Sequence, residues 1–172
     1  MRHQDEPVLG TEADASVREG MEVPTLPERI RGLVQREQFA VLCTQGHNQP
    51  YGSVVAFAIS QNLKTAVFAT PTATRKYRLL SRCDRVALVV DDRGGHPDNM
   101  MKVEAITATG QACQVEAGPE FDGWAELLVA RHPYLKSFVA APSTALFRID
   151  ILRYFYVTRF QEVHQWIPTS DG

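Results

Sequence analysis

Arg75 and Lys76 follow directly on Thr70-Pro71-Thr72-Ala73-Thr74, an order of residue types suited to holding a phosphate. Ahead of them the apolar run Ala66-Val67-Phe68-Ala69 reads as a strand, which Pro71 ends because proline donates nothing to a ladder. Thr72 or Thr74 then caps a helix by accepting from the free N–H groups of its first turn. Two cationic side chains, hydroxyls and open backbone donors converge on one small volume, as a phosphate monoester dianion requires. The predicted ligand therefore bears phosphate, and the competing reading is a solvated basic helix face.

Charge favours a local site. From Thr72 to Arg85 there are five cations (Arg75, Lys76, Arg78, Arg82, Arg85) and one anion (Asp84), a segment of +4 in a chain of net charge −2. Nucleic-acid binders spread basic charge over a whole face or groove, whereas here it is local in a chain of negative net charge, so no nucleic-acid partner is expected. The five histidines (His3, His47, His96, His132, His164) lack ligand spacing, and no metal site is expected. There is no G-x-G-x-x-G, no Walker loop and no G-x-S-x-G elbow, and Gly94-Gly95 reads as a turn. Cys43, Cys83 and Cys113 are odd in number and unpaired in spacing, and read as small buried hydrophobes rather than a disulfide frame.

These groups need elements to position them. With 172 residues, 44% of them hydrophobic, the chain can build one real core. Residues 1–23 carry six carboxylates against Arg2 and Arg18 and read as an acidic N-terminal tail or arm; 24–168 form the domain and 169–172 a short C-terminal tail. The first 23 residues hold no uninterrupted hydrophobic stretch, and runs such as Val54–Ile59 and Val86–Val90 are too short to cross a bilayer. No membrane partner and a cytoplasmic location are expected.

A helix is predicted from about Pro27 to Glu37, capped by Thr25, with Ile30, Leu33 and Val34 on one face. From Phe39 the period changes. Phe39–Thr44 and Tyr51–Ile59 flank a Gly, Asn and Pro turn and form a hairpin; Lys64–Thr70, Arg85–Asp91, Val103–Val115, Leu146–Phe160 (bent near Thr158) and Glu162–Ile167 supply further strands. Both strand faces are largely apolar, as in a small barrel covered on both sides. An amphipathic helix at Pro119–His132 places Phe121, Trp124, Leu127 and Leu128 on one side, with Trp124 as a core anchor, and Tyr134–Ala140 adds a helical turn. The predicted fold is mainly β, an antiparallel split barrel of about six strands with peripheral helices.

This strand order and phosphate corner resemble the pyridoxamine 5′-phosphate oxidase-like family of FMN-binding split barrels, over roughly Leu26 to Trp166. The resemblance is carried by Gln49-Pro50-Tyr51-Gly52-Ser53-Val54-Val55, by Phe68-Ala69-Thr70 with Thr74-Arg75-Lys76 and Asp84-Arg85-Val86, and by Ala108-Thr109-Gly110-Gln111-Ala112. It implies that Arg75 and Lys76 hold the FMN phosphate, that Thr70 lines the site, and that backbone groups of Ser53, Val54 and Val55 face the flavin ring. It also implies a homodimer with flavin at the interface, the second chain offering Trp166 or its neighbours to the ring. Two departures stand out. Leu79 occupies a position where members often have Asn, and no Arg-x-His element follows Arg159, so the vitamin B6 reaction is not implied.

The leading functional expectation is an FMN-dependent oxidoreductase whose flavin carries the redox chemistry. No catalytic residue is identifiable, although Tyr51 or His47 could serve as a donor. The alternatives are a non-catalytic flavin- or haem-binding module, with His3, His47 and His164 as candidate axial ligands, and a deazaflavin-dependent reductase anchored by the same residues. Substrate and electron donor are not legible.

Overall fold

The first hairpin turns on His47 and Asn48, with φ of 53° and 60°. Two successive left-handed residues match the right-handed twist of the flanking strands, β1 (Phe39–Gly46) and β2 (Gln49–Ala56). Gly46 and Pro50, expected in the turn, are instead ladder residues opposite Gln49 and Gln45. The structure is a computed structural model that describes residues 23–159 and 162–168; the acidic segment before Val23 and the tail after residue 168 lie outside the described residues.

The second strand does not run unbroken to Ile59. It breaks at Phe57, which is fully buried, its carbonyl held by His132 Nε2 at 2.9 Å and its ring covered by the Arg131 guanidinium at 5.1 Å. Beyond the break, β3 (Ala58–Ile59) leaves β1 and pairs with β4 (Thr65–Pro71). A short helix α2 (Arg75–Leu80) leads to β5 (Arg85–Asp91), and β6 (Ala105–Gln114) precedes β7 (Thr144–Thr158) and β8 (Glu162–Trp166). Every pairing is antiparallel, in the order β2-β1-β5-β6-β7-β4-β3 with β8 added on β7. The ends of the curled sheet meet where β2 comes alongside β4 without a ladder, which makes the barrel split. Seven predicted strand segments become eight elements, because one of them switches ladders at Phe57.

β7 organises the barrel. Its first half pairs with β4, its second with β8, and most of its length with β6. The register shifts at Thr109/Gly110, leaving Leu152 unpaired; this irregularity, rather than Thr158, bends the strand. Thr158 is the last strand residue, and Arg159, at φ 47°, turns the chain toward β8.

Three helices cover part of this sheet. α1 (Leu26–Arg36) starts at Thr25, whose N–H donates to Glu28 Oε2 at 2.7 Å, and buries Ile30, Leu33 and Val34 in the main core with Leu42, Leu88, Tyr154 and Tyr156. α3 (Pro119–Arg131) and α4 (Lys136–Val139) build a second cluster around Val67, Leu128, Val139 and Leu146, against which Trp124 packs.

The expectation of strands covered on both faces is corrected. Among the described residues one face stays exposed or only half-buried, crossing six strands along the row Val54–Val41–Val89–Thr107–Phe155–Gln165. Val54 is 69% exposed and Phe39 56%. Cys43 lies on this face, and all three cysteines are half-buried rather than core residues. No helix among the described residues is long and apolar enough to cross a membrane, and no group of three metal-ligating side chains converges there.

Candidate functional site

The phosphate corner forms where β2, β4 and α2 meet. Thr74, not Thr72, is the cap: its Oγ1 accepts from Tyr77 N–H at 3.2 Å and donates to the Pro71 carbonyl at 2.9 Å. With that hydrogen spent, the 3.0 Å contact to Thr70 Oγ1 is a bond that Thr70 donates. Thr70 is completely buried and so fixes the mouth of α2 from below. Thr72 is diverted to the Ser143 carbonyl at 3.2 Å. α2 has only six residues, so its dipole is weak and anchoring falls to the side chains.

The basic cluster separates on folding. Arg78 bonds the Ala73 carbonyl at 3.3 Å, Arg82 lies 2.9 Å from His47 Nε2, and Arg85 is 3.9 Å from Asp84. Arg75 and Lys76 are left, and neither has a carboxylate partner among the described residues. Lys76 is half-buried, and burial pushes its ammonium below the ordinary lysine value. A cation partly withdrawn from water with no anion beside it is one for which an anionic ligand would compensate.

β2 forms the facing wall. It is an edge strand, so half of its backbone groups point away from β1, and the pleat sends Tyr51, Ser53 and Val55 to one face and Val54 to the other. Val55 is in the core. Ser53 Oγ is buried with no hydrogen-bond partner, an orphan polar atom beside the corner. Tyr51 turns its ring under the Arg75 guanidinium, 5.0 Å from centroid to Cζ. The sequence reading named Tyr51 only as a donor; its i, i+2 spacing from Ser53 was the signal that both share a face.

Leu79 is buried, its Cδ2 within 2.5 Å of where a Cβ on Gly46 would lie, so this position packs α2 onto the hairpin. Trp166 tilts against Tyr154 at 5.6 Å, half-buried and packed against its own chain's core. Of the candidate axial ligands, His47 lies at the hairpin tip beside Arg82 and His164 is 2.9 Å from Glu162; His3 lies outside the described residues. Among the described residues the buried histidine is His132, which supports Phe57.

A family model described as pyridoxamine 5′-phosphate oxidase matches residues 26–158. The chain belongs to this family. No curated protein matches it. Among solved structures it is similar to a haem-binding protein from Mycobacterium smegmatis, with a TM-score of 0.76 and 15% identity over 86% of this chain and 60% of that one. ChuZ from Campylobacter jejuni aligns with a TM-score of 0.72 and 10% identity, over 85% of this chain and 61% of that one. A protein from Listeria innocua described as a putative pyridoxamine 5′-phosphate oxidase gives 0.58 and 14%, over 82% and 98% of the two chains. The chain thus spans about three fifths of the length of the first two. At these identities the likeness is one of fold. The pyridoxamine 5′-phosphate oxidase family match spans the phosphate corner and all strands except β8.

Proposed function

We propose that this chain is an FMN-binding flavoprotein acting as an oxidoreductase, with the FMN phosphate held by Arg75 and Lys76. The observation that carries the reading is a pair of cations without carboxylate partners among the described residues, one of them half-buried, at a corner floored by Thr70 and Thr74. The residues fit the group. Charge-assisted donors match a phosphate dianion, the edge of β2 offers free backbone groups to a heterocycle, and the orphan Ser53 hydroxyl lacks a partner that a polar ligand would supply. FMN bound there would supply hydride or single-electron transfer. The protein's part is to anchor the phosphate, present the β2 edge to the ring and keep the core side of that strand dry through Val55 and Phe57.

The site is shared in this reading by a second copy, which covers the exposed row from Val54 to Gln165 and walls the cofactor. Purified protein should be yellow and release FMN on denaturation. A Soret band would select the haem-binding alternative, a bound deazaflavin the other, and colourless protein that takes up no FMN overturns the proposal.

A further inference from the structure

Arg75 does not approach the corner as a free surface side chain: its guanidinium lies over the ring of Tyr51, 5.0 Å from centroid to Cζ. Tyr51 belongs to a different element, on the half-buried face of β2 two residues before Ser53. Strand and helix meet through this pair. A guanidinium held over an aromatic face is attracted to the ring, while its N–H donors remain available to a bidentate anion. An unsupported arginine gives up rotamer freedom when it takes up such an anion, and one already drawn to a ring has less of it to lose. The backbone of Tyr51 is itself fixed, since its carbonyl accepts from the buried Thr44 hydroxyl at 3.2 Å.

We infer that Tyr51 is a positioning residue that pre-sets Arg75 for the cofactor's phosphate, so that the ring of Tyr51 rather than its hydroxyl governs selection of phosphorylated over unphosphorylated flavin. This rests on the flavin reading above. It is separate from that reading because the same phosphate could be held by an Arg75 that owes nothing to Tyr51.

The test is a fluorescence titration of wild type, Tyr51→Phe, Tyr51→Leu, Arg75→Ala and the Tyr51→Leu/Arg75→Ala double variant with FMN and with riboflavin. A cation–π contact of this exposure should make Tyr51→Leu weaken FMN binding roughly three- to thirtyfold, while riboflavin binding stays within about twofold. Tyr51→Phe keeps the π-face and should match wild type. In the Arg75→Ala background Tyr51→Leu should have no further effect, because the pair acts as one unit. Equal losses of FMN and riboflavin, loss in Tyr51→Phe, or additive effects in the double variant overturn the inference while leaving the flavin reading in place. A wild type that binds no FMN overturns both. If Tyr51→Leu does not fold, Tyr51→Met, apolar and of similar reach, takes its place under the same criteria.

Discussion

A Cβ on Gly110 would lie 2.4 Å from the carbonyl oxygen of Asp150 and 2.9 Å from Ile149 Cγ2. The contact is with backbone on the neighbouring strand, so no rotamer change relieves it. It falls where the β6–β7 register shifts past Leu152, the point at which the longest strand bends around the barrel. Gly110→Ala should therefore cost about 1 to 3 kcal/mol, read as a lowered denaturant midpoint at unchanged m-value. An unshifted midpoint would mean that the strands can separate locally at no cost.

Removing both cations of the phosphate corner separates binding from folding. Charge-assisted bonds to phosphate contribute about 1.5 to 3 kcal/mol each, so Arg75→Ala with Lys76→Ala should weaken FMN binding on the order of a hundredfold or more. Riboflavin should be indifferent. The melting temperature of the apoprotein should hold or rise, because Lys76 is a half-buried cation with no anion beside it among the described residues. Equal FMN affinity in titrations of the double variant and wild type would place the phosphate elsewhere.

Arg131 closes the C-terminal end of α1, donating from Nη2 to the carbonyls of Val34 at 2.5 Å and Glu37 at 2.6 Å while its guanidinium covers the Phe57 ring. Helix ends leave carbonyls unsatisfied, and here a cation 97 residues away in sequence supplies the donors. Arg131→Ala should destabilise by about 2 to 4 kcal/mol. Hydrogen exchange should quicken first in the last turn of α1 and around the β2–β3 break; uniform quickening would show that the clamp is not local.

Glu104 sets the response to acid. Burial pushes its carboxyl up, but hydrogen bonds from Tyr156, Arg29 and Arg36 outweigh burial and hold it below its ordinary value of 4.5. A depressed carboxylate contributes stability above its unfolded value and loses it as pH falls through the folded one. Tyr156 is the converse: burial, then the neighbouring Glu104, push its hydroxyl up, so its contribution is complete below about 10 and lost as pH rises further. In chemical denaturation series Glu104→Gln should flatten the acid limb and also weaken the alkaline one in part, because Glu104 supplies part of the upward push on Tyr156 while burial supplies the rest. An unchanged acid limb would remove Glu104 from this role.

Local chemistry was legible where a residue acts within its own segment. A threonine cap at Thr72 or Thr74, Pro71 as a strand end, and Ile30, Leu33 and Val34 as a buried helix stripe follow from spacing alone, and the structure selects Thr74. The pairing of β1 with β2 was legible for the same reason, though the turn belongs to His47 and Asn48, whose left-handed backbone gives only a weak sequence signal. Long-range partners were not legible. Nothing near Tyr51 announces Arg75, nothing near Phe57 announces His132, and the half-burial of Cys43, Cys83 and Cys113 depends on which face of the barrel is left open. The run Leu146–Val157 illustrates the limit. Its apolar content does not tell which residues face the core: Leu146, Phe147 and Ile149 are buried, while Phe155, in the far half of β7, is half-buried on the face that also carries Val54, Val41 and Val89.

That exposed row leads to the test of assembly. Val54, Val41 and Val89 sit side by side across the sheet, Thr107 separates them from Phe155, Phe39 and Val163 are exposed on the same face, and a cavity of about 240 Å³ opens between Phe39, Val41, Val54 and Val89. Apolar surface of this continuity is seldom left in water, and a sheet face meeting its own copy across a two-fold axis buries each residue twice over. Val54 is the residue to change, since at 69% exposure its side chain contributes little to the monomer's own core. Val54→Asp should leave the melting behaviour of dilute protein unchanged while shifting light scattering at graded concentrations from dimer to monomer, since a buried unpaired carboxylate opposes association. If the cofactor is held by both chains, FMN should promote wild-type association by mass action, and the variant should bind FMN more weakly although Arg75 and Lys76 are intact. A Val54→Asp monomer that binds FMN as tightly as wild type would refute the shared site, and a wild type that stays monomeric at every concentration would refute the interface itself.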